Sequence, residues 1–194
     1  MRTQHHLSIA TPIPGNVPPG VVVAAIQTYT PLIRHHSAMT GFDEVSATPD
    51  VLDNDPFFGP WDDSVRAFQL RELITLAPGL TKEITYQTIF QLVPDGTRSR
   101  AMAPAGIVVR AEFTVRQRRA TTVPISPAGS DSTASGSTVT AMGDEYELRE
   151  EVLVEANSLL MPFITEALAT VHRGICERVV VETAKNYFGT GDMQ

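Results

Sequence analysis

Cysteine occurs once, as Cys176, in a chain of 194 residues, so no disulfide can close within it. Asn-x-Ser/Thr acceptor sites are also missing, and together the two absences make the cytoplasm the expected compartment. Positive charge is scarce: 15 Lys and Arg stand against 22 Asp and Glu, a formal net charge of −7, and the densest basic run is the short RQRR at 116–119. A surface of that sign repels the phosphate backbone, so nucleic acid is not an expected partner. Long apolar runs are lacking too. The longest early one, GVVVAAI at 20–26, falls far short of the ~20 residues a membrane helix needs. The opening MRTQHHLSIATPIPG has no apolar core followed by small residues, so neither a leader nor integral membrane association is expected.

Catalytic signatures are absent as well. HExxH, GxSxG, the P-loop, the Rossmann fingerprint and CxxC do not occur, and no cofactor is expected. The pairs His5-His6 and His35-His36 suggest a metal at first sight. Adjacent side chains diverge by about 180° on a strand and about 100° on a helix, however, so neither pair is a natural chelate and no metal site is expected.

What is present reads as one domain over 1–194, since 42% hydrophobic residues suffice for one core but not for two well-developed ones. HLSIATPIP at 6–14 suits a strand ended by prolines. NVPPGVVVAAIQTYTPLIRHH at 16–36 sets Val22, Ala25, Ile26, Tyr29, Leu32 and Ile33 on one helical stripe, which Pro31 should divide into two short helices. GFDEVSAT suits a strand, whereas SATPDVLDNDPFFGPWDDS at 46–64 is a Pro- and Asp-rich loop. Its aromatics Phe57, Phe58 and Trp61 either close over a cavity mouth as a lid or cover one end of the core.

Strands are then expected over VRAFQLRELITL and over TKEITYQTIFQLV, the second closed by Pro94-Asp95-Gly96. Ile107, Val109, Ala111, Phe113 and Val115 alternate with Arg110, Glu112, Thr114 and Arg116, the signature of an antiparallel sheet with one wet face. Residues 120–143 are rich in Ser, Thr and Gly and are expected to be a flexible insertion. EYELREEVLVEA is the last strand. From about Ser158 the period becomes helical, with Leu160, Ile164, Ala167, Leu168, Val171 and Ile175 on one stripe. The expected fold class is therefore α+β, a curved antiparallel sheet covered by one long C-terminal helix.

The stretch GTRSRAMAPAGIVVRAEFTV at 96–115, with its APAG break, and the terminal strand and helix resemble a family of filamentous-fungal proteins with a domain of unknown function. That family in turn resembles the helix-grip superfamily of START lipid-transfer domains, Bet v 1-like (SRPBCC) proteins and aromatase/cyclases, over roughly residues 4–185 of this chain. The resemblance implies a deep cavity between sheet and helix for an apolar small molecule. An empty cavity of ~300 Å³ would cost roughly 7 kcal/mol, comparable with the stability of a whole domain, so such a space is expected to be wet, collapsed or filled.

Glu150 shares strand parity with Tyr146, Leu148, Val152 and Val154, so the alternation aims it inward unless a bulge or an edge position returns it to solvent. A buried carboxylate is either a tuned general acid or base, or a structural partner of Arg98, Arg100 or Arg149. Tyr86 and Tyr146 also project with apolar faces, where their hydroxyls either orient a ligand carbonyl or bond to backbone. Cys176 reads as a small buried thiol rather than a nucleophile. Glu150, Tyr86 and Tyr146 are the expected catalytic groups. The expected cavity lining is Tyr29, Ile33, His36, Phe90, Val109 and Phe113, with Leu148, Leu160, Ile164 and Leu168. The function expected from this reading is a cofactor-independent cyclase or isomerase, a pericyclase included, acting on a polyketide or terpenoid intermediate of fungal secondary metabolism. The alternative is a non-catalytic carrier or sensor of a lipid or other apolar metabolite. The pattern leaves the oligomeric state open.

Overall fold

A computed structural model defines the fold and describes residues 1–52, 55–77, 79–118 and 145–189; the expected insertion at 120–143 lies outside the described residues. Strand β1 (Arg2–Ile13) leads through helices α1 (Pro19–Ile26) and α2 (Thr30–Arg34) to β2 (Met39–Val45). Five strands follow: β3 (Arg66–Ala77), β4 (Leu80–Val93), β5 (Gly96–Ala103), β6 (Ile107–Gln117) and β7 (Tyr146–Asn157). The long helix α3 (Met161–Gly189) ends the described chain. No described helix is long and apolar enough to cross a membrane.

The seven strands form one antiparallel sheet in the order β1-β7-β6-β5-β4-β3-β2. The β1–β7 pairing joins the most distant parts of the described chain, and β1 tolerates Pro12 because an edge strand need not donate every N–H. Where β5 starts beside β6 the two backbones run so close that a Cβ on Gly96 would lie 1.8 Å from the Phe113 carbonyl oxygen. The APAG break is a single turn of 3-10 helix in which Ala105 and Gly106 both have positive φ.

Strand alternation sorts the sheet into two faces. The inner face carries Ile9, Phe68, Phe90, Ala111, Phe113, Leu148 and Val152, which pack in one cluster with Val22, Ile26 and Ile33 of the short helices and Ile175, Val179 and Val180 of α3. Burying each of these large side chains contributes about 1.5–3 kcal/mol, so this layer holds α3 to the sheet. These side chains fill the space between α3 and the sheet here. The deep chamber implied by the resemblance is thus collapsed over this part of the interface.

The break between α1 and α2 lies at Tyr29, whose φ is 62°, rather than at Pro31, which occupies the first turn of α2. The α3 helix starts at Met161, three residues after Ser158, because Asn157 Oδ1 first accepts the Leu159 N–H in a separate turn.

The loop at 46–64 crosses the outer face of the sheet, opposite α3. Gln91 accepts the Gly59 N–H at 2.9 Å and donates to the Pro60 carbonyl at 2.8 Å, and Arg98 donates to the Phe57 carbonyl at 3.0 Å. Asp55 receives Arg100 at 2.8 Å and Arg110 at 3.0 Å. Phe58 is buried with Leu52, Val65, Ala67 and Ile89, and Phe57 packs beside it. Phe57 and Phe58 therefore cover the outer side of the sheet and are not a lid, and Trp61, 39% exposed, belongs to the same outer loop. The reason is electrostatic as much as apolar: the outer ends of β5 and β6 present arginines that need this loop's carboxylate and carbonyls.

Candidate functional site

Pleating places Glu150 between Leu148 and Val152 on the inner face, opposite Ile9 on one neighbouring strand and Phe113 on the other, with none of its surface exposed. An unpaired carboxylate there would cost several kcal/mol. Its partners come from α3. His172 Nδ1 is hydrogen-bonded to Glu150 Oε1, and the Cys176 thiol donates to Glu150 Oε2 at 3.4 Å. Residues 172 and 176 are one helical turn apart, so both reach the same carboxylate from one face. Burial, reinforced by the charge of Glu150, pushes the Cys176 thiol well above its usual range, and it stays a neutral donor rather than a nucleophile. With Nδ1 committed to the carboxylate, Nε2 is the His172 nitrogen left for chemistry.

A second carboxylate and imidazole stand on the other side of the inner face. Glu72, in step with Phe68 and Leu70 on β3, accepts the Tyr86 hydroxyl at 2.9 Å from β4, and His36 Nε2, just beyond α2, lies 3.9 Å from Glu72 Oε1. Burial, followed by the charge of Glu72, pushes the Tyr86 hydroxyl far above its ordinary value, so it remains a proton donor to Glu72. Burial also lowers the pKa of His36, with Glu72 opposing the change and nearby His172 adding to it. The buried His36 Nδ1 and Thr88 Oγ1 have no hydrogen-bond partner. Thr88 is 4% exposed and shares the inner face of β4 with Tyr86. Unpaired buried polar atoms are uncommon because each forfeits about 1–3 kcal/mol.

The expected site residues divide into three groups. Ile33, Phe90, Phe113 and Leu148 are buried in the packed layer, as is Tyr29, whose hydroxyl already donates to the Ser64 carbonyl at 2.6 Å. His36, Tyr86, Val109, Leu160, Ile164 and Leu168 are half-buried, and Val109, Ile164 and Leu168 pack on Val154, Ala156 and Met161. Tyr146 shares the parity of Glu150 but sits four residues along β7, roughly 13 Å away at ~3.3 Å per residue, and is not brought to it. Arg98, Arg100 and Arg149 project from the other face and do not pair with Glu150.

His172 and Glu72 were missed from the sequence, although each left a signal. His172 lies in the buried stripe with Ile175, Cys176, Val179 and Thr183, a polar ring at an apolar period. Glu72 keeps step with Phe68 and Leu70. Solvent-open concavities along α3 are lined by Pro162, Phe163, Glu166, Ala167, Thr170 and Val171, and by Arg173, Gly174 and Glu177 farther on, and do not include the Glu150–His172 pair. Among the described residues, no group of three or more His, Cys, Asp or Glu side chains is arranged to hold a metal ion.

A curved antiparallel sheet closed by a long C-terminal helix, with short helices after the first strand, defines the helix-grip, Bet v 1-like class. Similar solved structures include TTHA0849 from Thermus thermophilus, with a TM-score of 0.54 and 9% identity over 95% of this chain and 99% of that one. Ara h 8.0201 matches with a TM-score of 0.51 and 10% identity over 96% of this chain and 100% of that one. The di-domain ARO/CYC StfQ from the steffimycin biosynthetic pathway matches with a TM-score of 0.52 and 10% identity, over 96% of this chain but 52% of that one. At such identities the likeness is one of fold. The chain belongs to the DUF7053 family, a domain of unknown function, whose profile matches residues 2–185. No curated protein matches the chain in sequence.

Proposed function

We propose that this protein is a cofactor-independent cyclase or isomerase that takes an apolar polyketide- or terpenoid-type molecule against the half-buried patch of Val109, Ile164 and Leu168, with His172 Nε2 as general base. The observation that carries the reading is the Glu150–His172 hydrogen bond, a carboxylate-oriented imidazole inside an apolar layer. Fixing the ring through Nδ1 sets which nitrogen faces the reacting atom, and the apolar surroundings remove competing water. Positioned acid–base groups of this kind contribute about 10²–10⁴ in rate. Val109, Ile164 and Leu168 would hold the substrate's apolar body, restricting a flexible chain to reactive conformers. Likeness of fold to an aromatase/cyclase domain supports the same class of work.

A probe that needs only a base and an apolar site tests this reading. In nitrobenzisoxazole the base takes the ring C–H proton, the N–O bond breaks, and a coloured cyanophenolate forms. The wild-type protein should accelerate this opening over free imidazole, and His172→Ala should remove at least about tenfold of the rate. An unchanged rate in that variant refutes the assignment of His172. Retention of an apolar dye without any ring opening instead supports a carrier of apolar cargo.

A further inference from the structure

The side of α3 turned away from the sheet carries large apolar side chains in open solvent. Leu159, in the turn before the helix, is 79% exposed, Phe163 78% and Val181 52%. Apolar side chains gathered on one exposed face mark a contact surface. Gly174 interrupts the same face in the middle of this 29-residue helix. Glycine weakens a helix interior, and the fold does not require it here: a Cβ at 174 would meet nothing closer than Arg178 Nη2 at 3.7 Å. The missing side chain leaves a hollow that opens outward.

This face is arranged symmetrically about Thr170. Phe163 and Glu177 lie seven residues on either side of it, Glu166 and Gly174 four, and Leu159 and Val181 eleven. Steps of three, four, seven and eleven residues return to one side of a helix, so these positions form a single ridge. The two open concavities follow the same symmetry, one lying between Phe163 and Thr170 and the other between Thr170 and Glu177. Charge matches it as well, with Glu166 before the centre and Arg173 after it. Among the described residues, neither side chain has an ion-pair partner.

We propose that the outer face of α3 pairs antiparallel with the same face of a second copy of this chain, about a twofold axis at Thr170. In such an isologous contact each residue meets its mirror position in the other copy. Phe163 then enters the hollow over the partner's Gly174, between its Thr170 and Glu177. Leu159 meets the partner's Val181, and Glu166 stands opposite Gly174, beside the partner's Arg173. Each contact occurs twice. Ala167 and Thr170 at the centre are small, which lets the two helix axes approach closely. From Leu159 to Val181 the strip is roughly 33 Å long at ~1.5 Å per residue, and about 12 Å wide. It buries on the order of 500 Å² per copy, the low end of specific interfaces, which fits a reversible dimer of micromolar strength. His172 and Cys176 lie on the buried side of α3, so this contact stands apart from the catalytic reading.

Sedimentation velocity of the full chain from roughly 1 to 500 µM tests the pairing, with a monomer–dimer Kd on the order of 10–100 µM expected. Phe163→Ser removes the knob and Gly174→Leu fills the hollow, and each should raise Kd at least about tenfold. Gly174→Leu should leave the melting temperature unchanged or higher, because leucine favours the helix, so its loss of dimer is not a loss of fold. Glu166→Arg or Arg173→Glu alone sets like charges against each other and should also weaken the dimer; the double swap should restore it to within about threefold of wild type. A wild-type protein that is monomeric throughout the range overturns the inference. So does a dimer indifferent to Phe163→Ser and Gly174→Leu, or a double swap no better than either single one. Binding of the monomer to phosphatidylcholine vesicles through Phe163, without self-association, assigns the face to a lipid surface and overturns it too.

Discussion

His172 and Glu150 join the middle of α3 to the centre of β7, and the hydrogen bond between them is sealed from solvent on the carboxylate side. The pair is at once a fastening between helix and sheet and the chemical feature of the interior. Stability and activity are therefore coupled there, and substitutions must be judged on both.

Glu150→Ala leaves the His172 and Cys176 donors without an acceptor in a buried layer. The expected loss is about 3 kcal/mol, with a smaller loss for Glu150→Gln, whose amide oxygen still accepts one bond. Urea titrations of the three proteins measure this. A difference under about 1 kcal/mol for Glu150→Ala would falsify the view that the pair fastens α3.

Gly96→Ala tests the close approach of β5 to β6. The added methyl group would sit 1.8 Å from the Phe113 carbonyl oxygen, so β5 and β6 must part. Because that contact is with backbone, relief requires breaking ladder bonds, and a loss of about 3 kcal/mol or failure to fold is expected. A variant with a wild-type melting temperature contradicts the close approach.

Asp55→Asn should loosen the outer loop. The Asp55 side chain is 5% exposed and binds both Arg100 and Arg110, so a neutral amide leaves two arginines short of a counter-charge. Removing one partner of a buried ionic group costs about 3–5 kcal/mol, and a partly solvated site such as this one belongs at or below the lower end. Limited proteolysis should then cut within 46–64 well before the sheet; equal protection in both proteins counts against the latch.

Acidification should lower stability in two stages. Burial holds His36 below its ordinary 6.5, so the unfolded chain binds more protons and stability falls as pH drops below that value, until the folded-state value is reached. Asp55 behaves differently: burial opposes ionisation, but bonds from Arg100, the Phe57 N–H and Arg110 outweigh it and hold the group below its ordinary 3.8. Its contribution is complete above that pH and is lost as pH falls through the depressed value. His36→Gln should erase the upper stage and spare the lower one in chemical denaturation at a series of pH values. Persistence of the upper stage would assign it to another group.

The alternation of apolar and polar residues was enough to read the antiparallel strands, the two short helices, the long final helix and the inward direction of Glu150, because period and chain direction are local properties. Helix boundaries were less legible: the chain breaks at Tyr29 and α3 begins at Met161, where side-chain packing and a local Asn157 bond override the nearest proline or serine. Partner choice was not local at all. Glu150 meets residue 172 on α3 instead of any nearby arginine, Glu72 meets residues 36 and 86, and Phe57 and Phe58 settle on the outer face. Curvature of the sheet and the path of α3 across it bring those groups together, and the energy that selects the path comes from burying a whole apolar layer rather than from any one of the polar residues it assembles. Sequence thus determined the parts and the alternation of faces along each strand; tertiary packing decided which side chains face one another.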